Sequence, residues 1–455
     1  MNFARAAPSP ARITFGLVLL LALTALAVNG LVRLAAPAQY RETALHHSWD
    51  VLRGRGGDDS WEPIASALAH IRTGPATPLY TEVFFKKGIR YQYPPSALFT
   101  LAAMEWIAPA RVLIDDQRYS GPRPTINDML GWLFLLISAG ATAALLEIGL
   151  RRRGIPRGSG ALLVLRVATV AALTLTFYPA VKAFTLGQLQ TWVNGTFALA
   201  LVFWATGRKA GSGLCVGLIC LIKPHYGLLL LWAALRGEWR FIAACSVALA
   251  AGLAGSLAAF GWENHIDYLK VLSFLSERGE SYYPNQSVNG LLNRLMGVAQ
   301  PEVYNNVVWR NGYFPPFTPL VYYGTLAAST LILGAALVRR GRAGDAGRVI
   351  DFCTMALSVT LASPVAWEHH YGILLPILAV LFTNALGDRA RIAALALCYA
   401  IASNLFIAAN ALAPTALNVA QSYLFAAALG VLALLHLRPA NAAAARTVPA
   451  LPVRA

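Results

Sequence analysis

LGWLFLLISAGATAALLEIGL (residues 130–150), RRRGIPR (151–157) and GSGALLVLRVATVAALTLTFYPA (158–180) follow one another without a gap. The two apolar runs are each long enough, as helices, to approach or cross a hydrocarbon core of about 30 Å. The turn between them carries Arg151, Arg152, Arg153 and Arg157. Arginine concentrated in a short loop between apolar helices marks the cytoplasmic side of a membrane protein. The same punctuation recurs at Arg208 with Lys209, at Arg236 and Arg240, at Arg339, Arg340, Arg342 and Arg348, and at Arg389 with Arg391.

The bulk composition agrees. Of the 455 residues, 57% are hydrophobic and 13% charged, and the mean hydropathy is +0.54. A soluble chain of this length would carry roughly twice that charge. The fold class expected is therefore all-α and polytopic, a single integral membrane domain over residues 1–455. The apolar stretch Ile13 to Val32 is too long, and lacks the small-residue cleavage site, for a secretory signal, so it reads as the first span of the mature chain.

A net charge of +16 could point to nucleic acid, but its distribution does not. With the arginine loops and both ends placed inside, that side holds 19 Lys/Arg against 5 Asp/Glu, and the outward loops hold 17 against 16. The excess thus reports topology, and no nucleic-acid partner is expected. Fixing those loops inside predicts spans near 13–33, 130–150, 158–180, 187–206, 210–223, 225–236, 240–260, 317–338, 348–364, 370–386, 391–410 and 415–436. Twelve crossings leave both termini cytoplasmic. The short apolar piece Pro94 to Ala108 breaks the parity if it crosses, so it is expected to lie in or dip into the outer interface. Residues 35–128 then form one long outward loop, with an amphipathic stretch from Trp61 to Ile71, and residues 261–315 form a second.

Candidate chemistry gathers on the outward side. Asp58 and Asp59 stand at the start of the amphipathic stretch, where a carboxylate caps a helix and is held in a fixed orientation. Lys223-Pro224-His225 interrupts two short helices, and a lysine at depth calls for an anionic partner unless it reaches back to the surface. Glu368, His369 and His370 sit where a span meets the outer face. Adjacent histidines on a helix point about 100° apart and make a poor metal pair, so no metal site is expected there. Gln188, Gln190 and Asn194 form a polar stripe on another span, and the second loop offers Tyr282, Tyr283, Asn285, Gln286, Asn289, Arg278 and Arg294. All five cysteines, Cys215, Cys220, Cys245, Cys353 and Cys398, fall in apolar segments without zinc spacing and read as core.

Through Gly57-Asp58-Asp59 with Leu79-Tyr80, Tyr93-Pro94-Pro95, Gly187-Gln188, Lys223-Pro224, Asn285-Gln286-Ser287 and Ser363-Pro364 through Trp367-Glu368-His369-His370, the chain resembles glycosyltransferase family 87. These are membrane enzymes of the GT-C type that use polyprenyl-phosphate sugars. The resemblance covers roughly residues 55–380. It implies a GT-C fold with large outer loops after spans 1 and 7, and transfer of a hexose, mannose first, from a polyprenyl-phosphate sugar to a lipid-linked or envelope glycan. That transfer would take place on the outer (periplasmic) face of the cell inner membrane, in contact with the lipid bilayer. An Asp would act as general base with inversion, and no cofactor would be needed. Members usually carry one Asp followed by a Tyr, whereas here two Asp are followed by Trp61 and Pro63. The choice between Asp59 and Asp58 therefore stays open, with Asp59 favoured. Lys223, His225, Arg294, His369, His370, Glu368, Gln188, Asn285, Gln286 and Tyr93 are the residues expected to bind donor phosphate or substrate. A transporter or flippase of a lipid-linked sugar is the alternative, and it would need polar residues continuing through the midplane.

Overall fold

The computed structural model describes residues 8–35, 41–74, 76–107, 126–296, 314–339 and 344–437. Parts of both long loops, Ala108, the cluster residues Arg340 and Arg342, and the tail from Arg438 lie outside these. Among the described residues every extended element is helical, and the only β pairing is a single bridge between Asn285 and Trp367.

Among the described residues five helices are long and apolar enough to cross a membrane: Pro10–Leu34, Ile126–Arg152, Trp239–Phe260, Pro319–Val338 and Ala416–His436. The pair Gly160–Leu175 and Tyr178–Thr185, bent by 59° at the break, passes the same test only when taken together. The sequence reading ended this span near residue 180. The helical path instead turns at Phe177 and continues to Thr185, because Pro179 has no N–H to extend the incoming helix and starts a new one instead.

Apolar side chains cover the outside. Phe15, Leu26, Val164, Val247, Leu331 and Val338 are all exposed, as surfaces in contact with lipid are. Trp239 and Trp262 flank the Trp239–Phe260 helix and are also exposed. At about 1.5 Å per residue their separation matches a hydrocarbon core of about 30 Å with tryptophan at each boundary. Ile126–Arg152 is instead central and packs on Gln190–Ala205 and Leu374–Ala385.

One end of the bundle is tied together by the arginines of the short turns. A helix terminus leaves its last carbonyls without partners, and here the guanidinium groups of neighbouring turns supply them. Arg152 donates to the Ala205 carbonyl and Arg153 to that of Leu386. Arg236 reaches the carbonyls of Leu337 at 3.0 Å and Arg339 at 3.0 Å while its Nε holds Asp351 at 2.7 Å. Arg391 donates to the Leu434 carbonyl at 2.9 Å. Nearby, Arg166, 1% exposed, makes a two-pronged ion pair with Glu147 at 2.5 and 3.0 Å. This end is a basic pole, and its Arg152, Arg153, Arg236 and Arg391 donate to the protein's own carbonyls.

Toward the opposite pole the chain is less regular. Lys209–Cys220 and Leu228–Arg236 are separated by a short turn, Pro224–Gly227, so the break read at Lys223-Pro224-His225 is present. The amphipathic stretch forms the helix Trp61–Arg72. Residues after Tyr93 form a tight turn, Pro95–Leu98, leading into the helix Phe99–Ile107. Ser96 Oγ donates to the Leu221 carbonyl at 2.6 Å, and the Phe99 ring lies tilted against Phe260 with centres 4.8 Å apart, which fixes this piece against the end of the Lys209–Cys220 helix and the Trp239–Phe260 helix. The five cysteines are free and buried.

Candidate active site

Two glycines bring the first loop to the bundle. Gly187 has φ +66, a left-handed conformation open to glycine, and a Cβ built there would stand 1.6 Å from the Gly57 carbonyl oxygen. The Gly57-Asp58-Asp59 segment therefore lies directly on the turn after the Tyr178–Thr185 helix. The Asp59 N–H donates to the Leu186 carbonyl at 3.0 Å, and the Asp58 carbonyl accepts from Glu62 N–H at 2.9 Å to start the next helix. Capping is thus done by the Asp58 backbone, while the Asp59 carboxylate is turned outward and exposed.

Three separate sequence motifs meet at that carboxylate. Gln188 donates its amide N–H to Asp59 Oδ2. Its oxygen accepts from Ser60 Oγ at 2.8 Å and from the Tyr93 hydroxyl at 2.8 Å. Ser60 Oγ in turn accepts from Leu189 N–H at 3.1 Å. With its oxygen engaged in this way, the Gln188 amide can present only N–H to Asp59, and the carboxylate is held in one orientation. Burial raises the Asp59 carboxyl above its ordinary value, opposed by the Gln188 hydrogen bond and by the charges of Lys182 and Arg90. The carboxylate is thus exposed on one face and held by Gln188 on another.

The Lys223 ammonium donates to His370 Nε2 at 2.8 Å and stands 5.5 Å from the centre of the Tyr93 ring, so it lies next to the Asp59 network. His225 is half-buried one residue past Pro224. Asn194 donates to the His369 carbonyl at 3.3 Å. Glu368, 1% exposed, takes hydroxyls from Tyr178 at 2.8 Å and Tyr423 at 3.1 Å.

Asn285, Gln286 and Arg294 are placed differently, inside the protein as a fastening between the second loop and two other segments. Asn285 bonds the Pro364 carbonyl at 3.1 Å and accepts from Ala366 N–H at 3.0 Å. Gln286 donates to the carbonyls of Tyr283 and Gln421, each at 2.7 Å, and accepts from Phe425 N–H at 3.1 Å. Arg294 donates to the Asn285 carbonyl at 3.0 Å and to Ser422 Oγ at 2.5 Å. All three are fully buried, and these bonds are the kind that hold a loop in shape.

Several charged groups of this pole escaped sequence reading. Glu280 is buried, with Oε1 accepting from Arg90 at 3.3 Å and from Gln92 at 3.3 Å. Burial pushes its carboxyl up to about 7 against the pull of Arg90. Glu42 Oε1 sits 3.0 Å from His47 Nε2, and that hydrogen bond holds the Glu42 carboxyl below its usual range. Lys182 stands in the middle of the Tyr178–Thr185 helix. A lone lysine in the otherwise apolar run 161–186 was a readable signal for it, with Arg166 the only other charge there. Nothing in the sequence announced the Arg90–Glu280 pair, whose members are 190 residues apart.

Among the described residues no group of three or more His, Cys, Asp or Glu could hold a metal ion. Compared with known proteins, residues 91–364 match the family model described as glycosyltransferase family 87. No curated protein and no solved structure matches the chain. The matched region begins just before Tyr93 and includes Gln188 and Lys223. Asp59 lies before it, joined to it through Gln188.

Proposed function

The chain belongs to glycosyltransferase family 87, a family of membrane glycosyltransferases, and from that premise we propose that it transfers a hexose, mannose first, from a polyprenyl-phosphate sugar to a hydroxyl of a lipid-linked or envelope glycan. The observation that carries this reading is the Asp59 carboxylate, exposed and oriented by Gln188, which is itself fixed by Ser60 and Tyr93. In the proposed mechanism Asp59 accepts the proton of the acceptor hydroxyl as its oxygen attacks the anomeric carbon. The configuration inverts because the phosphate leaves from the opposite face. Asp58 is less suited, since its backbone starts the helix while the neighbouring carboxylate is exposed. Lys223, His225, His369 and His370 are assigned to the phosphate side, where charge grows as the bond to carbon breaks.

The proposed topology is a twelve-span GT-C arrangement in the inner membrane with the Asp59 carboxylate on the outer face. Support comes from the positive-inside rule applied to the arginine pole and from the concentration of titratable groups at the other end.

Purified protein incubated with radiolabelled polyprenyl-phosphate mannose and a lipid extract tests the function. A new labelled glycolipid is expected. Asp59→Asn should reduce transfer by about 10²–10⁴-fold, the usual worth of a general base, while Asp58→Asn stays within a few fold. Loss in Asp58→Asn with Asp59→Asn fully active would move the base to Asp58. Full activity in both would defeat the mechanism, and the absence of any product from the unaltered protein would favour lipid-linked sugar transport.

A further inference from the structure

Lys182 has an unusual setting for a lysine inside a bundle. Its helix, Tyr178–Thr185, packs on the Ala44–Leu52 helix on one side and on the Glu368–Ile373 turn on the other. One turn before Lys182, the Tyr178 hydroxyl is bonded to Glu368 at 2.8 Å. One turn after it, Thr185 Oγ1 is 2.9 Å from His47 Nδ1, and the Leu186 carbonyl accepts from Asp59 N–H at 3.0 Å. The positive charge of Lys182 favours the ionised form of Asp59, Glu42 and Glu368 alike.

None of these carboxylates takes it. Asp59 is held by Gln188, Glu42 by His47, and Glu368 by two tyrosine hydroxyls. Among the described residues the Lys182 ammonium makes no hydrogen bond or ion pair, while the Lys182 carbonyl accepts from Leu186 N–H at 3.0 Å, and the side chain is half-buried. Lys223 differs, because its ammonium already donates to His370. A half-buried ammonium that forms no direct pair with the carboxylates near it is a site that can take an anion arriving from outside.

We propose that Lys182, in addition to the Lys223 group assigned above to the phosphate side, pairs with the phosphate of the lipid-linked donor and takes up the charge that appears as the sugar leaves. This rests on the sugar-transfer reading above. In the step, the acceptor oxygen bonds to the anomeric carbon and its proton passes to Asp59. The bond from that carbon to the phosphate oxygen breaks, with its electron pair staying on the phosphate. The donor enters as a phosphodiester with one negative charge and departs as a phosphomonoester with up to two. The ammonium is therefore better paired after transfer than before, which is the condition for lowering the barrier.

The test uses the full-length protein in detergent, with farnesyl phosphate as a soluble stand-in for the released lipid phosphate and farnesol as its uncharged control. For Lys182→Gln, donor kcat/KM should fall by about 10²–10³-fold, as for loss of one donor to a developing oxyanion. Inhibition by farnesyl phosphate should weaken by tenfold or more, with farnesol binding unchanged. Lys182→Arg should restore most of both. The acid limb of the rate profile supplies a readout that misfolding does not mimic. Asp59 must be ionised to accept a proton, and Lys182 favours the ionised form, along with Arg90 and against Glu62 and Glu280. Removing the lysine charge should move the acid limb to higher pH, and arginine should return it. Unchanged farnesyl phosphate inhibition in a Lys182→Gln protein that elutes and melts like the original overturns the inference, and so does an unmoved acid limb. If that protein is unaffected while Asp59→Asn is inactive, this inference alone fails. If the unaltered protein forms no glycolipid, the underlying reading fails.

Discussion

The contact between Gly57 and Gly187 sets the position of Asp59, and Gly187→Ala tests it. The added Cβ would lie 1.6 Å from the Gly57 oxygen, 2.4 Å from its carbonyl carbon and 3.2 Å from Asp58 N. All three are backbone atoms, so no side-chain rotation can relieve the overlap. The two segments must separate by roughly 1.5–2 Å to reach ordinary contact. That displacement stretches the 3.0 Å bond from Asp59 N–H to the Leu186 carbonyl and carries the carboxylate away from Gln188. Misplacing a catalytic group by about 1 Å costs on the order of 10²-fold in rate. Alanine in a left-handed conformation adds about 1–2 kcal/mol of strain, and the overpacking about 1–3 kcal/mol more. Gly207→Ala separates these effects. Gly207 has φ +78 and open space where its Cβ would be, in a turn of the basic pole. It should show the backbone strain as a lowered Tm and keep its kcat. Gly187→Ala should lose more Tm and about 10²-fold in kcat. If the two variants turn over sugar at equal rates, the glycine contact does not position the base and the reasoning is refuted.

Arg166→Met leaves the Glu147 carboxylate without its buried partner and should cost about 3–5 kcal/mol, read as a lower Tm in detergent. Pairing it with Glu147→Gln should recover most of the loss, with kinetic constants unchanged throughout. Glu280 gives a pH signature. Its folded carboxyl titrates near 7 and its unfolded one in the ordinary range. The folded state thus holds the extra proton between those values, and stability falls as pH rises through that window. The Tm of the unaltered protein should drop more between pH 5 and pH 8 than that of Glu280→Gln. Parallel curves would show that Glu280 is not buried as a carboxyl.

The parts of this architecture that were readable in the sequence depend on local or one-dimensional signals. Arginine turns mark helix ends because guanidinium groups satisfy terminal carbonyls as well as orienting the chain. Proline marked the break at Lys223-Pro224-His225, and the amphipathic pattern from Trp61 marked the helix that runs to Arg72. The 59° bend before Pro179 was missed because the apolar run continues straight through it. At the site, Asp59, Gln188 and Tyr93 were each nominated separately, but a spacing of 129 residues says nothing about the hydrogen bond that joins the first two. Asn285, Gln286 and Arg294 show the reverse. Their residue types suited a ligand, but the partners that occupy them are groups of Tyr283, Asn285, Pro364, Ala366, Gln421 and Ser422, most of which only the folded chain brings within reach.

The two short helices on either side of Pro224 have 12 and 9 residues. At about 1.5 Å per residue they rise roughly 18 and 14 Å, well short of a hydrocarbon core of about 30 Å. On the proposed topology their shared turn therefore ends below the level of the lipid headgroups, and the wall of the bundle is low at that place. A carrier lipid could bring its phosphate to Lys223 by sliding sideways through this notch, its isoprenoid tail remaining among the acyl chains. Selection would then act on the headgroup while the tail stays dissolved in the bilayer, so carriers differing widely in chain length would be served by one site.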